Sequence, residues 1–153
     1  MVPAVTSGTG KAAAGRKRTA KRRLEVKRVY DAPGPADGAR ILVDRVWPRG
    51  LTRKAAALDL WLRDIAPSTP LRKWFGHRPE RWKQFCRRYG EELRDDPFAV
   101  AALERWMDKG SVTLVFSAKD RDHNNAVALK AYLGRARRRH TTSQAAARRS
   151  RRA

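Results

Sequence analysis

Charged and polar side chains are concentrated in two short segments of this 153-residue chain, residues 44–50 and 117–125. Each segment directly follows an apolar stretch that has the pattern of a β-strand. Guanidinium groups bind phosphate or carboxylate through paired hydrogen bonds, and a helix N-terminus adds oriented backbone N–H groups. The residue types therefore favour the binding of an anionic small molecule. The residues that we predict to bind it are Arg45, Trp47, Arg49, Lys119 and Asn124.

His123 and Asp120 are the candidate catalytic residues. Imidazole titrates near neutral pH, so a histidine in a ligand crevice can act as a general acid or base. The same histidine, together with Asp120 and Asp122, also has a spacing that a metal site could use. Three ligands without a second cluster are a weak signal for a metal. We therefore predict no metal site and no cofactor, and we leave open whether the protein is an enzyme.

A purely structural interpretation of the same two segments stays open. In that interpretation Asp44 pairs with Arg45 or Lys119, Asp122 only caps a helix, and Arg49 is solvated. All of these residues would then contribute to folding alone.

The aromatic residues divide into core residues and candidates for a pocket wall. Three tryptophans lie on the apolar faces of predicted helices and are interpreted as core: Trp74, Trp82 and Trp106. Trp47 lies in the first charged segment and Trp61 follows it in the chain, so either could wall a ligand pocket. Cys86 belongs to an apolar helical stripe and is interpreted as a core residue. His77, in a turn between two helices, is interpreted as a capping or packing group.

Hydrophobic patterns predict the elements that would position the charged segments. Strands are predicted over 24–30, 40–46 and 111–117, and a less regular period of two suggests another over 58–65. Three adjacent apolar residues at 41–43 indicate a strand buried on both faces, as in parallel sheets. Helices are predicted over 70–75, 80–93, 98–109 and 124–133, after one short helical turn within 51–57.

Capping residues set the predicted ends of these helices. Thr69 before Pro70 and Asp122 are predicted to begin two of them, and Gly134 is predicted to end the last. The order of elements predicts an α/β fold with a small, three- to four-stranded, mainly parallel sheet covered by helices. In such sheets ligands bind beyond the carboxyl ends of the strands. Both charged segments are predicted to lie there.

The chain is strongly basic, with 36 Lys+Arg against 15 Asp+Glu and a net charge of +21. Residues 1–23 hold 7 basic and no acidic side chains, and residues 134–153 hold 8 basic and none acidic. We predict that both segments are disordered basic tails, with at most one extra helical turn after 134, around a single domain over 24–133. Such tails bind polyanions by counterion release, so non-specific binding of DNA or RNA is the alternative function.

Several classes of protein are excluded by the sequence. No stretch approaches the 18 apolar residues of a membrane span, so we predict no membrane partner and a cytoplasmic location. The single cysteine excludes a disulfide framework and a multi-cysteine zinc site. Neither of the familiar glycine-rich phosphate loops is present.

Five sequence strings, in order, resemble the YeaO-like family of small bacterial proteins, which is classed within domain of unknown function 488. They are VKRVYD, ILVDRVWPRGL, WLRDIAPS, LRKWFGHRPERW and VTLVFSAKDRDHNNAVALKAYL, within residues 26–133. The resemblance implies a compact, bacterial, cytoplasmic α/β domain and transfers no established activity. Arg78 departs from the family, in which an acidic N-cap is common there, so that helix start is expected to fray more easily. The matching positions are Asp44, Arg45, Trp47, Pro48, Arg49, Gly50, Phe75, Gly76, His77, Lys119, Asp120, His123 and Asn124.

Overall fold

The computed structural model describes residues 22–152, which contain a four-stranded sheet in the order β1-β4-β2-β3. All three strand pairings are parallel, which confirms the predicted α/β class. The predicted disordered segment 1–23 lies outside the described residues, apart from its last two. The strands are β1 (Leu24–Arg28), β2 (Ala39–Leu42), β3 (Leu60–Trp61) and β4 (Val112–Phe116).

Within residues 22–152, five α-helices and three short 3-10 turns connect and follow the strands. None of the helices in the described part of the chain is long and apolar enough to cross a membrane. The helices are α1 (Arg53–Ala56), α2 (Thr69–Phe75), α3 (Trp82–Asp95), α4 (Pro97–Lys109) and α5 (Asn125–Ser150). The 3-10 turns are Pro35–Asp37, Arg63–Ile65 and Pro79–Arg81.

The central strand β4 is buried along its whole length, as a parallel strand covered on both faces must be. Its side chains alternate between two apolar clusters. Leu114 and Phe116 face the main core, into which α2, α3, α4 and α5 pack. Val115 faces a smaller cluster with Val29 and Ala56, against which Trp47 is packed. The long helices therefore cover one face of the sheet, while α1 and loop residues cover the other.

A charged cluster, which we call the closed network, lies on the second face of the sheet and consists of Lys27, Asp37 and Arg40. The Arg40 side chain is only 5% exposed, and its Nη1 lies 2.7 Å from Asp37 Oδ2. Lys27 Nζ lies 3.2 Å from the other carboxylate oxygen. The Arg40 guanidinium also donates to the carbonyl oxygens of Ala56 and Ala57, both at 3.1 Å. Each charge of the network thus has a partner of opposite sign.

The turn before β2 holds Asp37 in its charged form. Burial raises the pKa of Asp37, but hydrogen bonds from the Gly34 amide and from both cations outweigh it and keep the pKa below its usual range. The next residue, Gly38, has a φ of 63°, and a Cβ there would lie 2.2 Å from the carbonyl oxygen of Ser111. Only glycine fits this position.

Two predicted caps and one predicted strand are corrected by the structure. Ser68, and not Thr69, caps α2, because its hydroxyl accepts a hydrogen bond from the Leu71 amide at 3.3 Å. Asn124, and not Asp122, caps α5. The strand expected over 58–65 is limited to β3, since the chain turns into a 3-10 helix directly afterwards.

Helix α5 continues through Gly134, where the sequence predicted its end. The prediction of a disordered tail is therefore wrong for residues 134–150, which are helical. A single glycine inside a helix costs only about 1 kcal/mol relative to alanine. The residues that follow are mainly Ala, Arg and Gln, which are strong helix formers, and arginines near the C-terminal end interact favourably with the helix dipole.

Candidate functional site

Asp44 joins the carboxyl ends of β2 and β4 to the start of α5. Its Oδ2 accepts hydrogen bonds from the Ser117 amide at 2.9 Å and from the Ser117 hydroxyl at 2.7 Å. Its Oδ1 accepts one from the Asn125 amide group at 3.1 Å. Asn125 also donates to the Val43 carbonyl oxygen at 2.8 Å. These bonds fix the two charged segments relative to each other because β2 and β4 are neighbours in the sheet.

A cleft of about 830 Å³ opens at these strand ends. The structure brings to it all seven predicted site residues, from both charged segments: Arg45, Trp47, Arg49, Lys119, Asp120, His123 and Asn124. Two carboxylates line the cleft, those of Asp44 and Asp120. Five Lys and Arg side chains of the described residues also line it: Arg28, Arg45, Arg49, Arg72 and Lys119.

None of these five cations forms an ion pair with a carboxylate in the part of the chain that the structure describes. Asp44 in particular pairs with neither Arg45 nor Lys119, so that part of the structural interpretation is wrong. The two carboxylates are instead occupied by hydrogen bonds from amide, hydroxyl and imidazole groups. The cleft therefore carries an excess of positive charge.

Two of the cleft arginines are held in place by backbone carbonyl groups. Arg45 is half-buried, and its Nε and Nη2 donate to the carbonyl oxygens of Pro67 and Ala66 at 3.3 and 3.2 Å. Arg28 donates to the Ala118 carbonyl oxygen at 3.0 Å and stacks over the Tyr30 ring, with 4.7 Å between its Cζ and the ring centroid. Carbonyl oxygens orient a guanidinium without neutralising its charge.

The two other predicted cations, Arg49 and Lys119, are exposed at the cleft. The Tyr30 hydroxyl donates to the Arg49 carbonyl oxygen at 2.8 Å and so fixes the backbone there. The side chains themselves are solvated, as the structural interpretation expected for Arg49. They can move to meet a ligand.

His123 is oriented by Asp120. His123 Nδ1 lies 3.0 Å from Asp120 Oδ2, and the Trp82 ring packs edge-on against the imidazole at 5.3 Å. Asp120 also accepts hydrogen bonds from the backbone amides of Asp122 and His123 at 2.9 and 3.0 Å. The Asp122 amide, followed by the His123 ring, lowers the pKa of Asp120. No group of three metal-ligating side chains occurs among residues 22–152.

The Asn124 side chain is already fully used by the fold. It is 3% exposed, its Oδ1 accepts from the Val127 amide at 3.0 Å, and its Nδ2 donates to the Asp120 carbonyl oxygen at 3.0 Å. We therefore assign it the positioning of the Asp120 loop and of the start of α5, and not direct contact with a ligand.

The two tryptophans beside the first charged segment have different roles. Trp47 lines the cleft, donates to the Leu51 carbonyl oxygen at 2.7 Å and packs against the smaller apolar cluster. Trp61 does not belong to the lining residues, so its interpretation as a pocket wall is wrong. Its ring lies edge-on to Trp47 at 5.3 Å, and its Nε1 donates to the Asp44 carbonyl oxygen.

Sequence reasoning missed three basic residues of the cleft: Arg28, Arg72 and His77. Arg28 ends β1, which pairs with β4, so the argument from strand ends would have found it had the strand order been known. His77 is exposed, with a φ of 57° directly after Gly76 at 53°. Left-handed backbone is uncommon at a non-glycine residue. The His77 ring lies 6.4 Å from the Phe75 ring, so His77 keeps an aromatic packing contact while it lines the cleft.

The bottom of the cleft is apolar. Phe75 and Phe85 are buried and stack with their ring centroids 4.4 Å apart. Ala66 and Pro67, also buried, complete this surface. The cleft thus combines an apolar floor with cationic walls.

A comparison with known families shows which proteins are similar to this chain. Residues 23–151 match the family model DUF488-N3i, described as "Inactive DUF488-N3 subclade". The chain belongs to the YeaO-like DUF488 family. This DUF488 protein is 40% identical over 110 residues to the uncharacterized protein YeaO of Escherichia coli (strain K12), which is 72% of this chain and 96% of YeaO. The family resemblance seen in the sequence is confirmed.

Relatives of this DUF488 protein also occur in mycobacteria. It is 40% identical over 107 residues to the uncharacterized protein Rv3073c of Mycobacterium tuberculosis, which is 70% of this chain and 90% of the relative. The uncharacterized protein Mb3100c of Mycobacterium bovis matches over the same shares at the same identity. No solved structure matches the chain significantly.

Proposed function

We propose that this DUF488 protein binds an anionic small molecule, bearing phosphate or carboxylate, in the cleft at the carboxyl ends of its strands. One observation carries the proposal: five cationic side chains line the cleft, and none has a carboxylate partner within the described residues. Like charges that lie close together without a counter-charge repel one another. A bound anion would supply the missing charge.

The start of α5 adds to the same positive potential. Asn124 and Asn125, the cap and first residue of this 26-residue helix, both line the cleft. The N-terminus of a long helix carries roughly half a positive charge, and anions are stabilised there. The helix dipole and the five side chains therefore act in the same direction.

The apolar floor indicates that the ligand is more than a bare inorganic anion. Phe75 and Phe85 offer a stacked aromatic surface beneath the cationic walls. A volume of about 830 Å³ is of the size of drug-like ligand sites. We therefore propose an anionic group held by Arg45, Arg49 and Lys119, and an apolar or aromatic body against the floor.

A catalytic role of His123 and Asp120 is the second candidate function. The observation that favours it is the 3.0 Å contact of the imidazole with the carboxylate, the arrangement in which a carboxylate orients a general base. The description of the matching family as inactive favours binding without turnover. We therefore place ligand binding first and assign His123 to ligand contact.

Thermal unfolding with added ligand tests the binding proposal. The probes are inorganic phosphate and phenyl phosphate, and the test variant is Arg49→Gln/Lys119→Gln. Phenyl phosphate should raise the melting temperature of the wild type more than phosphate does, and it should raise that of the variant little. The matched control Lys73→Gln/Arg87→Gln changes exposed cations on α2 and α3 that do not line the cleft. A wild type that no anion stabilises, or a control that loses as much as the test variant, contradicts the proposal.

The catalytic candidate is tested by analysing phenyl phosphate after long incubation with the protein. Recovery of the unchanged compound supports binding without turnover. Release of phenol by the wild type, but not by His123→Asn, would establish the catalytic alternative instead.

A further inference from the structure

The C-terminal part of α5 extends beyond the folded domain. Leu133 is the last buried residue of the helix, and every described residue from Arg137 onward is exposed. The helix nevertheless continues to Ser150. A helix that is polar on all sides has no core contact to stabilise it, and bridging to another domain is one of the situations in which such helices occur.

The charge of this segment has one sign only. Within residues 135–152 there are eight arginines and no Asp or Glu. None of these arginines is ion-paired to any carboxylate of the described chain. They form two groups separated by a spacer, residues 140–147, without Lys or Arg: Arg135, Arg137, Arg138 and Arg139, then Arg148, Arg149, Arg151 and Arg152.

We infer that residues 135–152 form a helical arm that binds double-stranded DNA, with its two arginine groups on the two phosphate backbones that flank the major groove. At 1.5 Å per residue, the eight residues 140–147 span about 12 Å. This length matches the ~12 Å width of the major groove, which admits an α-helix. The spacer is rich in Ala and Thr, whose small side chains allow close approach to the groove. The arm is separate from the cleft and does not depend on the proposed function.

Two other polyanions fit the arm less well. The major groove of double-stranded RNA is deep and narrow and does not admit side chains. The arm therefore cannot lie in that groove with a phosphate backbone on either side. A helix that lies on a membrane needs one broad apolar face. The arm has none, because the one arc of about 120° that is free of arginine carries Ala136, His140, Ser143, Ala147 and Ser150.

The substitution Ala146→Pro, in the full chain, separates a helical arm from a flexible basic tail. It keeps every charge but breaks the helix between the two arginine groups. Affinity for a 20-base-pair DNA duplex should fall roughly ten-fold at 0.15 M salt, because the arm must then be ordered on binding. Circular dichroism verifies the loss of helix. Unchanged affinity would overturn the inference, since a disordered tail of equal charge would bind equally well.

Removing charge from both groups tests the contacts themselves. The variant Arg138→Gln/Arg139→Gln/Arg148→Gln/Arg149→Gln should lower the slope of log affinity against log salt by about 3 to 4. The matched control, which removes the same charge from exposed positions on α2 and α3, should leave the slope nearly unchanged. This control variant carries Lys73→Gln, Lys83→Gln, Arg87→Gln and Arg94→Gln. Equal losses in the two variants would overturn the inference.

Comparison of polyanions completes the test. Duplex DNA should bind more tightly than duplex RNA of the same length and than vesicles of phosphatidylcholine and phosphatidylglycerol at 3:1. Equal or tighter binding of either competitor would overturn the assignment of the arm to the major groove of DNA.

Discussion

The closed network and the cleft are both built from arginine beside a parallel sheet, but their charges are balanced differently. In the closed network Arg40 and Lys27 share the carboxylate of Asp37, at 2.7 and 3.2 Å. In the cleft the carboxylates of Asp44 and Asp120 are bound to neutral or titratable donors, and the arginines have no acidic partner among the described residues. Each cation of the closed network has a carboxylate partner, whereas no cleft cation has one among the described residues.

This difference shows which arginines can be assigned to function. A guanidinium that already has a carboxylate partner stabilises the fold and has little capacity for a ligand. A guanidinium held only by carbonyl oxygens, as Arg45 is, keeps its charge available. The group to which an arginine is bound is therefore more informative about its function than the presence of the arginine alone.

The largest expected effect is the loss of stability when the closed network is broken. Asp37→Asn leaves the buried Arg40 without its counter-charge, and removing one partner of a buried ion pair costs about 3 to 5 kcal/mol. The free energy of unfolding, measured with urea at pH 7, should fall by this amount. Asp31→Asn is the matched control, because its pair with Arg121 is exposed and should cost no more than about 1 kcal/mol. Similar losses of stability in Asp37→Asn and Asp31→Asn would show that the ion pairs of the closed network contribute no more than an exposed pair.

The next effect concerns Asp44, a cleft carboxylate that is used by the fold. Asp44→Ala leaves the Ser117 amide and the Asn125 side chain without their acceptor, which should cost about 1 to 3 kcal/mol. The variant should also lose stabilisation by phenyl phosphate, because the two strand ends and α5 are no longer fixed together. A variant that keeps both its stability and its ligand response would show that Asp44 does not organise the cleft.

Acid should destabilise the closed network. The pKa of Asp37 is lower in the folded protein than in the unfolded chain. The stabilisation of the folded state by its carboxylate is therefore complete above the unfolded pKa of about 3.9. That contribution is lost as pH falls through the folded pKa, where the carboxylate takes up a proton. Urea unfolding between pH 7 and pH 3 should show a decline that is smaller in Asp37→Asn. Equal declines would assign the acid sensitivity to other carboxylates.

The smallest expected effect is that of removing one cleft cation without ligand. Arg49→Gln or Lys119→Gln removes an exposed charge with no acidic partner, so the free energy of unfolding should change by no more than about 0.5 kcal/mol. Any change should favour the folded state, because repulsion among the cleft cations decreases. A loss above about 1 kcal/mol would show that the residue has a structural partner.

The sequence was sufficient to locate the cleft but not to define all of its residues. Strand periodicity and the two charged segments predicted Arg45, Arg49, Lys119 and His123, because residues after parallel strands meet at one edge of the sheet. Arg28 and Arg72 could not be predicted in this way, since the order β1-β4-β2-β3 depends on long-range packing. Neither the backbone reversal at His77 nor the choice of Asn124 over Asp122 as the cap follows from residue type.

The extent of α5 illustrates the limit of local rules. Gly134 is a common helix terminator, and an acid-free run of arginines is typical of disordered segments. Helix propensity of the surrounding residues outweighs both signals here, and the helix runs through Gly134 to Ser150. Composition predicted the charge of this segment correctly but not its conformation.

Isothermal titration calorimetry with phenyl phosphate tests the central claim, that the cleft cations lack a partner that an anion supplies. The wild type should bind, and Arg49→Gln/Lys119→Gln should bind roughly 10- to 100-fold more weakly, as expected for the loss of charge-assisted hydrogen bonds. The control Lys73→Gln/Arg87→Gln, with the same net charge, should bind like the wild type. No measurable binding by the wild type, or equal weakening in the two variants, would contradict the account.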